Sequence, residues 1–261
     1  MDGLKGKAAI VTGGATLIGA AVVRAFHREG TRVVVADIEA KSGQALADEL
    51  GEGVIFVKTD LADDAQIAAC VARTVEAFAG INFLINLACV YTDNALEATR
   101  EDWLESYNIN VVGGVMLLKA AHPQLAKRGG VVVNIGSISA KVAQRGRWLY
   151  PVTKAALLQV TRNEALDLAA EGIRVNSVSP GWTWSRVIAE LTGGNKAKAN
   201  NVGGPFHALG RIGEPEEVAE AVLFLCSSHS SFITGTDLAV DGGYTAMGPE
   251  RAEAAIAKLM E

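Results

Sequence analysis

Cysteine is scarce. Cys70, Cys89 and Cys226 are odd in number, lie far apart and form no Cys-x-x-Cys pair. That excludes a disulfide framework and a zinc site of the usual spacing, and it fits a reducing cytosol. No apolar run approaches the roughly 18 residues of a membrane span. The N-terminal MDGLKGKAAIVTGG lacks a signal-peptide pattern. Positive charge is not in excess: 24 Lys+Arg against 29 Asp+Glu give −5, and no long basic run occurs. A nucleic-acid footprint is thereby excluded. No internal repeat or low-complexity linker marks a boundary, so residues 1–261 are read as one domain. The expected partner is a small molecule, with neither membrane nor nucleic acid, in the cytoplasm.

What is present is apolar and periodic. Apolar residues make up 49% of the chain, enough for a sizeable core. Short apolar runs at Ala8–Val11, Arg32–Ala36, Val54–Val57, Phe83–Asn86, Val131–Ile135, Arg174–Val178 and Asp237–Val240 read as seven strands. Helical stretches are expected after Gly19, over Asp63–Phe78, over Glu101–Leu125, over Pro151–Glu171 and from Pro215. The alternation predicts an α/β fold, a Rossmann-type doubly wound parallel sheet with helices on both faces. Ligands of such sheets bind beyond the carboxyl ends of the strands. Asp37, Asp60, Asn86, Ser137 and Pro180-Gly181 all fall at those ends.

The turn Thr12 to Gly19 lies between the first strand and a helix, and the second strand ends on Asp37. Strand, glycine turn, helix, strand and acid form the setting of a dinucleotide fingerprint. Glycines let backbone N–H groups approach a pyrophosphate, and the helix N-terminus adds positive potential. Asp37 follows Gly19 at close to the spacing of about 20 residues for an acid that binds a ribose 2′-hydroxyl. It would repel a 2′-phosphate, and Ile38 offers no cation, so NAD is expected over NADP. The plainer reading, a glycine turn with a surface acid, does not account for the strand-helix-strand setting.

The stretch Ser137 to Lys154 carries the chemistry. A hydroxyl at Ser137 follows the fifth strand, with a phenol at Tyr150 and an ammonium one helical turn later at Lys154. Pro151 is expected to open the helix. A cation beside a phenol favours the phenolate, and such a phenol serves as a general acid/base. The rival for this short pattern is a core tyrosine with a solvated lysine, and the rest of the chain weighs against it. From about 182 to 212 periodicity weakens and glycines cluster, which reads as an irregular lid at the same rim. The tail, 245–261, is expected to include a short helix from Pro249.

Up to about Tyr244 the chain resembles the short-chain dehydrogenase/reductase family. The resemblance is carried by the Thr12–Gly19 turn, Asp60, Asn86-x-Ala88, Asn110, Ser137, Tyr150-x-x-x-Lys154, Pro180-Gly181 and Asp241-Gly242-Gly243, in that order. It implies that Tyr150 exchanges a proton with the substrate oxygen and Lys154 holds the nicotinamide ribose. Ser137 would bond the carbonyl or alkoxide, and Asn110 would hold a water linking Lys154 to solvent. It implies cofactor contacts at Gly13, Leu17, Ile18, Gly19, Asp37, Asp60, Leu61, Asn86, Ala88, Tyr150, Lys154, Pro180, Gly181, Thr183 and Ser185. It also implies a homo-oligomer, tetramer or dimer. Leu17 stands where a glycine is usual and is expected to crowd the pyrophosphate. Leu87 replaces an asparagine and should lose a hydrogen bond inside the sheet. Cys89, in place of a glycine, is expected to be a small buried filler.

By the same resemblance, Ser139, Gln144, Trp148, Trp184 and His207 are the candidates around the substrate. Arg145, Arg147 and Arg186 are read as solvated, the commoner state of an arginine, and a carboxylate partner is the second reading. The expected activity is NAD-dependent oxidation of a small secondary alcohol, cyclic, aromatic or polyhydroxylated, or reduction of its ketone. The alternatives are a ketoacyl-thioester reductase and a non-catalytic NAD(H)-binding sensor or scaffold. A methyltransferase would not need the Ser, Tyr and Lys set.

Overall fold

The inner strands are buried on both faces because successive residues feed opposite layers. In β1 (Ala8–Thr12), Ala9 and Val11 join one core, while Ala8 and Ile10 join the other. The same two-residue alternation runs through β2 (Arg32–Asp37), β4 (Phe83–Asn86) and β5 (Val131–Ile135). β3 (Val54–Lys58), β6 (Arg174–Pro180) and β7 (Asp237–Val240) complete the sheet. All pairings are parallel and the order is β3-β2-β1-β4-β5-β6-β7. The computed structural model describes residues 1–248 and residue 250. The expected helix over 249–261 therefore lies outside the described residues.

One face is covered by α1 (Leu17–Arg28), α2 (Ala40–Leu50) and α9 (Pro215–Cys226), through Val22, Phe26, Leu46, Val218 and Val222. The other is covered by α3 (Asp64–Phe78), α5 (Gly113–Ala126) and α6 (Leu149–Leu168), through Ile67, Leu117, Ala121 and Ala165. The chain leaves β1 toward β3 on one side, then returns to build β4 to β7 on the other. The crevice of such a sheet opens between β1 and β4, at the carboxyl ends. Asp37, Asn86 and Pro180 end their strands there, and Ser137 follows two residues after β5.

Several expectations change. Helix α2 was not foreseen. The long helix expected over Glu101–Leu125 is α4 (Arg100–Tyr107) and α5, joined by a π turn at Asn108–Val112. Helix α6 begins at Leu149 rather than at Pro151. A proline so near the start costs no intrahelical bond, since the first turn's N–H groups have no partner within the helix. The lid is not irregular: it contains α7 (Arg186–Thr192) and α8 (Lys196–Gly203), capped by Ser185 and Asn195. Cys89 is half-buried, not buried, because it lies on the loop just beyond the β4 end. Among the described residues no helix is long and apolar enough to cross a membrane.

Candidate active site

The glycine turn is locked by close backbone approach. Gly13 has φ +64°, and a Cβ there would lie 2.9 Å from the Ala88 backbone. A Cβ on Gly19 would lie 2.1 Å from the Gly13 carbonyl oxygen. Thr16 caps α1 by accepting from the Gly19 N–H at 3.1 Å. Asp37 closes the turn from β2, accepting from the Ala15 N–H at 2.9 Å and the Glu39 N–H at 3.0 Å. The Leu17 and Ile18 N–H groups then remain without a partner among the described residues. Two free donors at a helix N-terminus suit phosphate oxygens. The Leu17 side chain is 42% exposed.

Across the crevice, the Thr12 hydroxyl accepts from the Leu87 and Ala88 N–H groups at 2.9 and 3.2 Å. The Leu87 side chain packs into the core on the α1 face. Asn86 donates to Asn134 at 2.8 Å, and its Oδ1 is buried without a partner among the described residues. The free helix donors at one wall of the crevice fit the pyrophosphate of a dinucleotide, whereas the Asn86 side chain lies inside the layer beside Asn134 and Gly114. Asp60 accepts from the Ala62 N–H at 2.9 Å, and Leu61 is buried against Gly113.

The acid/base end is built by α6. Lys154 is 2% exposed, and its ammonium donates to the Ile135 carbonyl at 2.6 Å. Its Nζ lies 5.6 Å from the centroid of the Tyr150 ring. Ser137 is buried, with Oγ accepting from the Ser139 N–H at 3.1 Å. Asn110 lies in the π turn, a device common at functional sites. Its amide pairs with the Val90 N–H and C=O and donates to the Thr153 hydroxyl at 3.2 Å. Thr153 in turn donates to the Tyr150 carbonyl at 2.9 Å. The Asn110 side chain thus braces the loop after β4 against α6.

Two side chains near Tyr150, Tyr91 and Asp93, were missing from the predicted site, and a third, Arg147, was read there as solvated. Tyr91 stacks on Tyr150 with ring centroids 4.6 Å apart. The Tyr91 phenol is pushed well above its usual pKa, first by its neighbour Cys89, then by burial and by Tyr150. Asp93 accepts from the Trp148 and Tyr150 N–H groups at 2.8 and 3.2 Å, so it caps α6 from a distant loop. Arg147 places its guanidinium over the Tyr150 ring, 4.7 Å from the centroid. No short-range pattern announces these contacts. Asp93 and Tyr150 are 57 residues apart, and only the fold joins them.

The lid candidates divide. His207 is buried with both nitrogens engaged: Nδ1 faces the Gly203 carbonyl at 2.8 Å and Nε2 accepts from the Trp182 N–H at 3.2 Å. It fastens the lid base, which leaves no nitrogen for a substrate. Ser139 donates to Gln144 at 2.7 Å, an internal strap of the loop before Tyr150. Trp148 is exposed, and Trp184 is half-buried beneath Lys196. Thr183 is buried, its hydroxyl donating to the Gly181 carbonyl, and it bridges to Gly213. The Gly181 N–H donates to Val240 at 3.0 Å. A cavity of about 260 Å³ is walled by Trp182, Thr183, Arg211, Glu217 and Asp241, and it does not reach Tyr150.

Comparison with known proteins identifies the family. Residues 13–245 match the family described as enoyl-(acyl carrier protein) reductase. An uncharacterised oxidoreductase of Thermotoga maritima is 34% identical over 93% of this chain and 97% of its own. The L-fucose dehydrogenase of Mus musculus is 35% identical over 91% and 88%. The trans-4-hydroxycyclohexanecarboxylate dehydrogenase of Sinomonas cyclohexanicum is 34% identical over 94% and 95%. The chain belongs to the short-chain dehydrogenase/reductase family, and is an oxidoreductase of that family.

Proposed function

We propose that the protein is an NAD(H)-dependent dehydrogenase of small secondary alcohols, with Tyr150 as general acid/base. The observation that carries this is the buried Lys154 ammonium, held on the Ile135 carbonyl one turn from Tyr150. In the proposed reaction Tyr150 takes the hydroxyl proton of the alcohol, or returns it to the ketone. Ser137 donates a hydrogen bond to the same oxygen. The Lys154 field stabilises charge that develops on the phenol as its proton leaves. The nicotinamide, when bound, accepts or supplies the hydride. The free N–H groups of Leu17 and Ile18 would hold the pyrophosphate, with Gly13 and Gly19 giving close approach. Asp37 would bind the adenosine ribose, Asp60 and Leu61 would border the adenine, and Asn86 and Ala88 would line the crevice. Lys154, Pro180, Gly181, Thr183 and Ser185 would complete the nicotinamide end.

Asp37 supports NAD over NADP by repelling a 2′-phosphate. The lid brings Arg186 within electrostatic reach of Glu39 and Asp37, but Glu190 holds that guanidinium at 2.8 Å. The substrate class, a cyclic or polyhydroxylated alcohol, is supported by two relatives named for a sugar and a hydroxylated ring. A homo-oligomer belongs to the same reading; the exposed Leu104, Val112, Val152 and Leu166 on α4, the π turn and α6 support it, and light scattering tests it.

The test is NADH formation across L-fucose, cyclic diols, hydroxycyclohexanecarboxylates and simple secondary alcohols, with ketoacyl and enoyl thioesters offered alongside NADH and NADPH. Tyr150→Phe is expected to lose about 10²–10⁴ in kcat while binding NADH nearly as before. Equal turnover by that variant would end the assignment of Tyr150. Turnover of thioesters alone would replace the alcohol by an acyl substrate. NADH binding with no turnover would leave a sensor.

A further inference from the structure

The three arginines near the lid and the Tyr150 loop, alike in sequence, are separated by the fold. Arg145 is exposed. Arg186 is exposed and paired with Glu190. Arg147 is half-buried, its guanidinium carbon 4.7 Å from the Tyr150 ring centroid and 6.0 Å from that of Tyr91. Among the described residues its side chain makes no ion pair and no hydrogen bond. Asp93, the carboxylate that reaches this segment, is engaged by the Trp148 and Tyr150 N–H groups. Tyr91 cannot serve as the counter-charge either, since its phenol pKa lies well above the ordinary value and the group stays neutral.

A guanidinium offers five donors in a planar fork that matches a carboxylate. Here two aromatic rings hold that fork in place beside the acid/base, which limits the ordering needed on binding. We propose that Arg147 is a specificity-determining residue that reads a carboxylate on the alcohol whose hydroxyl meets Tyr150. The substrate class is then a hydroxy acid in which a ring or short chain separates the carbinol from the carboxylate. The inference rests on the reading of Tyr150 as the acid/base.

The experiment pairs each alcohol as acid and as neutral amide, beginning with 4-hydroxycyclohexanecarboxylate, and compares wild type, Arg147→Gln and Arg147→Lys. Wild type should prefer the acid. Arg147→Gln should lose about tenfold to a hundredfold in kcat/KM on the acid, chiefly through KM. On the amide any loss should be smaller and fall on kcat, since Arg147 also lies beside the Tyr150 phenol, while KM stays within about threefold of wild type. Arg147→Lys should recover part of the loss on the acid, since it keeps the charge without the fork. Equal losses on acid and amide would overturn the proposal and leave Arg147 as a strut for the Tyr150 ring. So would the absence of any preference for the acid in wild type.

A second arm needs no turnover. Calorimetry measures binding of the carboxylate, with NADH present, to the Tyr150→Phe protein and to the double variant that adds Arg147→Gln. Binding that requires Arg147 upholds the carboxylate site even if turnover fails and the acid/base assignment falls. No Arg147-dependent binding, with neutral alcohols still oxidised by wild type, would overturn the site and leave the dehydrogenase reading standing.

Discussion

The two sides of the crevice between β1 and β4 are built from different materials. On the cofactor side the contacts are mostly main chain: glycines packed against carbonyls, free helix N–H groups, and one carboxylate at the end of the adjoining strand. On the substrate side they are side chains delivered from remote loops: Tyr91 onto Tyr150, Asp93 onto the start of α6, Asn110 onto Thr153. A main-chain site tolerates little change of volume at its glycines. A site of side chains tolerates substitution but depends on the loops that deliver it.

The sharpest test of the first half is Gly19→Ala. The added carbon would meet the Gly13 oxygen at 2.1 Å, so the turn must open. The expected cost is about 1–3 kcal/mol of stability, read from denaturant midpoints, with a loss of NADH affinity of about tenfold or more. If the variant binds NADH normally, the main-chain account of that side fails.

The second half is tested by Asp93→Ala. Removing an acceptor at a helix start costs about 1 kcal/mol, a fall in Tm of about 2–4 °C for a chain of this size. Here kcat should drop while NADH affinity holds, because the freed segment carries Tyr150. Asp93→Asn keeps one acceptor oxygen and should recover part of both effects. A drop in Tm with kcat unchanged would reduce Asp93 to an ordinary cap.

This division also explains what could be read from the sequence. Seven strands and their order along the chain were legible because each is a short apolar run bounded by turn residues. Asp37, Asn86, Ser137 and Pro180 were legible as rim residues because they end or closely follow those runs. Helix α2 was missed because only Gly43, Leu46 and Ala47 are buried on it, too thin an apolar stripe to see. Helices α7 and α8 were missed because they are short and flanked by glycines. Asp93 and Tyr91 were illegible for another reason: their partners are set by the meeting of the β4 loop with α6, which no local pattern encodes. Arg147 was considered with Arg145 and Arg186, and only burial and pairing tell the three apart.

The smallest effect is expected at the far end of α6. Glu164 is half-buried, and burial pushes its carboxyl pKa up to about 7, partly opposed by the hydrogen bond from Asn134. The folded state therefore holds a proton there that the unfolded chain releases at ordinary carboxylate pH. The stabilisation from the protonated form is complete below the unfolded pKa, and it is lost as pH rises through about 7. Glu164→Gln should flatten that loss, so that denaturant midpoints at about pH 5 and pH 8 lie closer together than in wild type. A variant with the same pH slope as wild type would show that Glu164 is ionised in the folded protein. Catalysis at the Tyr150 end should not follow this titration.

The π turn at Asn108–Val112 sets a rule for the length of the chain. A π turn is an α-helix holding one surplus residue, and each residue of an α-helix advances its face by about 100°. Deleting any one residue between 108 and 112 would restore a regular helix and leave every hydrogen bond of a good helix in place. The turn absorbs the surplus residue, so Leu117, Ala121 and Leu125 would keep their face toward the sheet, and what would be lost is the local widening that aims Asn110 at Val90 and Thr153. The segment is therefore indifferent to many exchanges of residue type yet intolerant of a single gap. Related chains that share this catalytic arrangement should align through it without insertion or deletion.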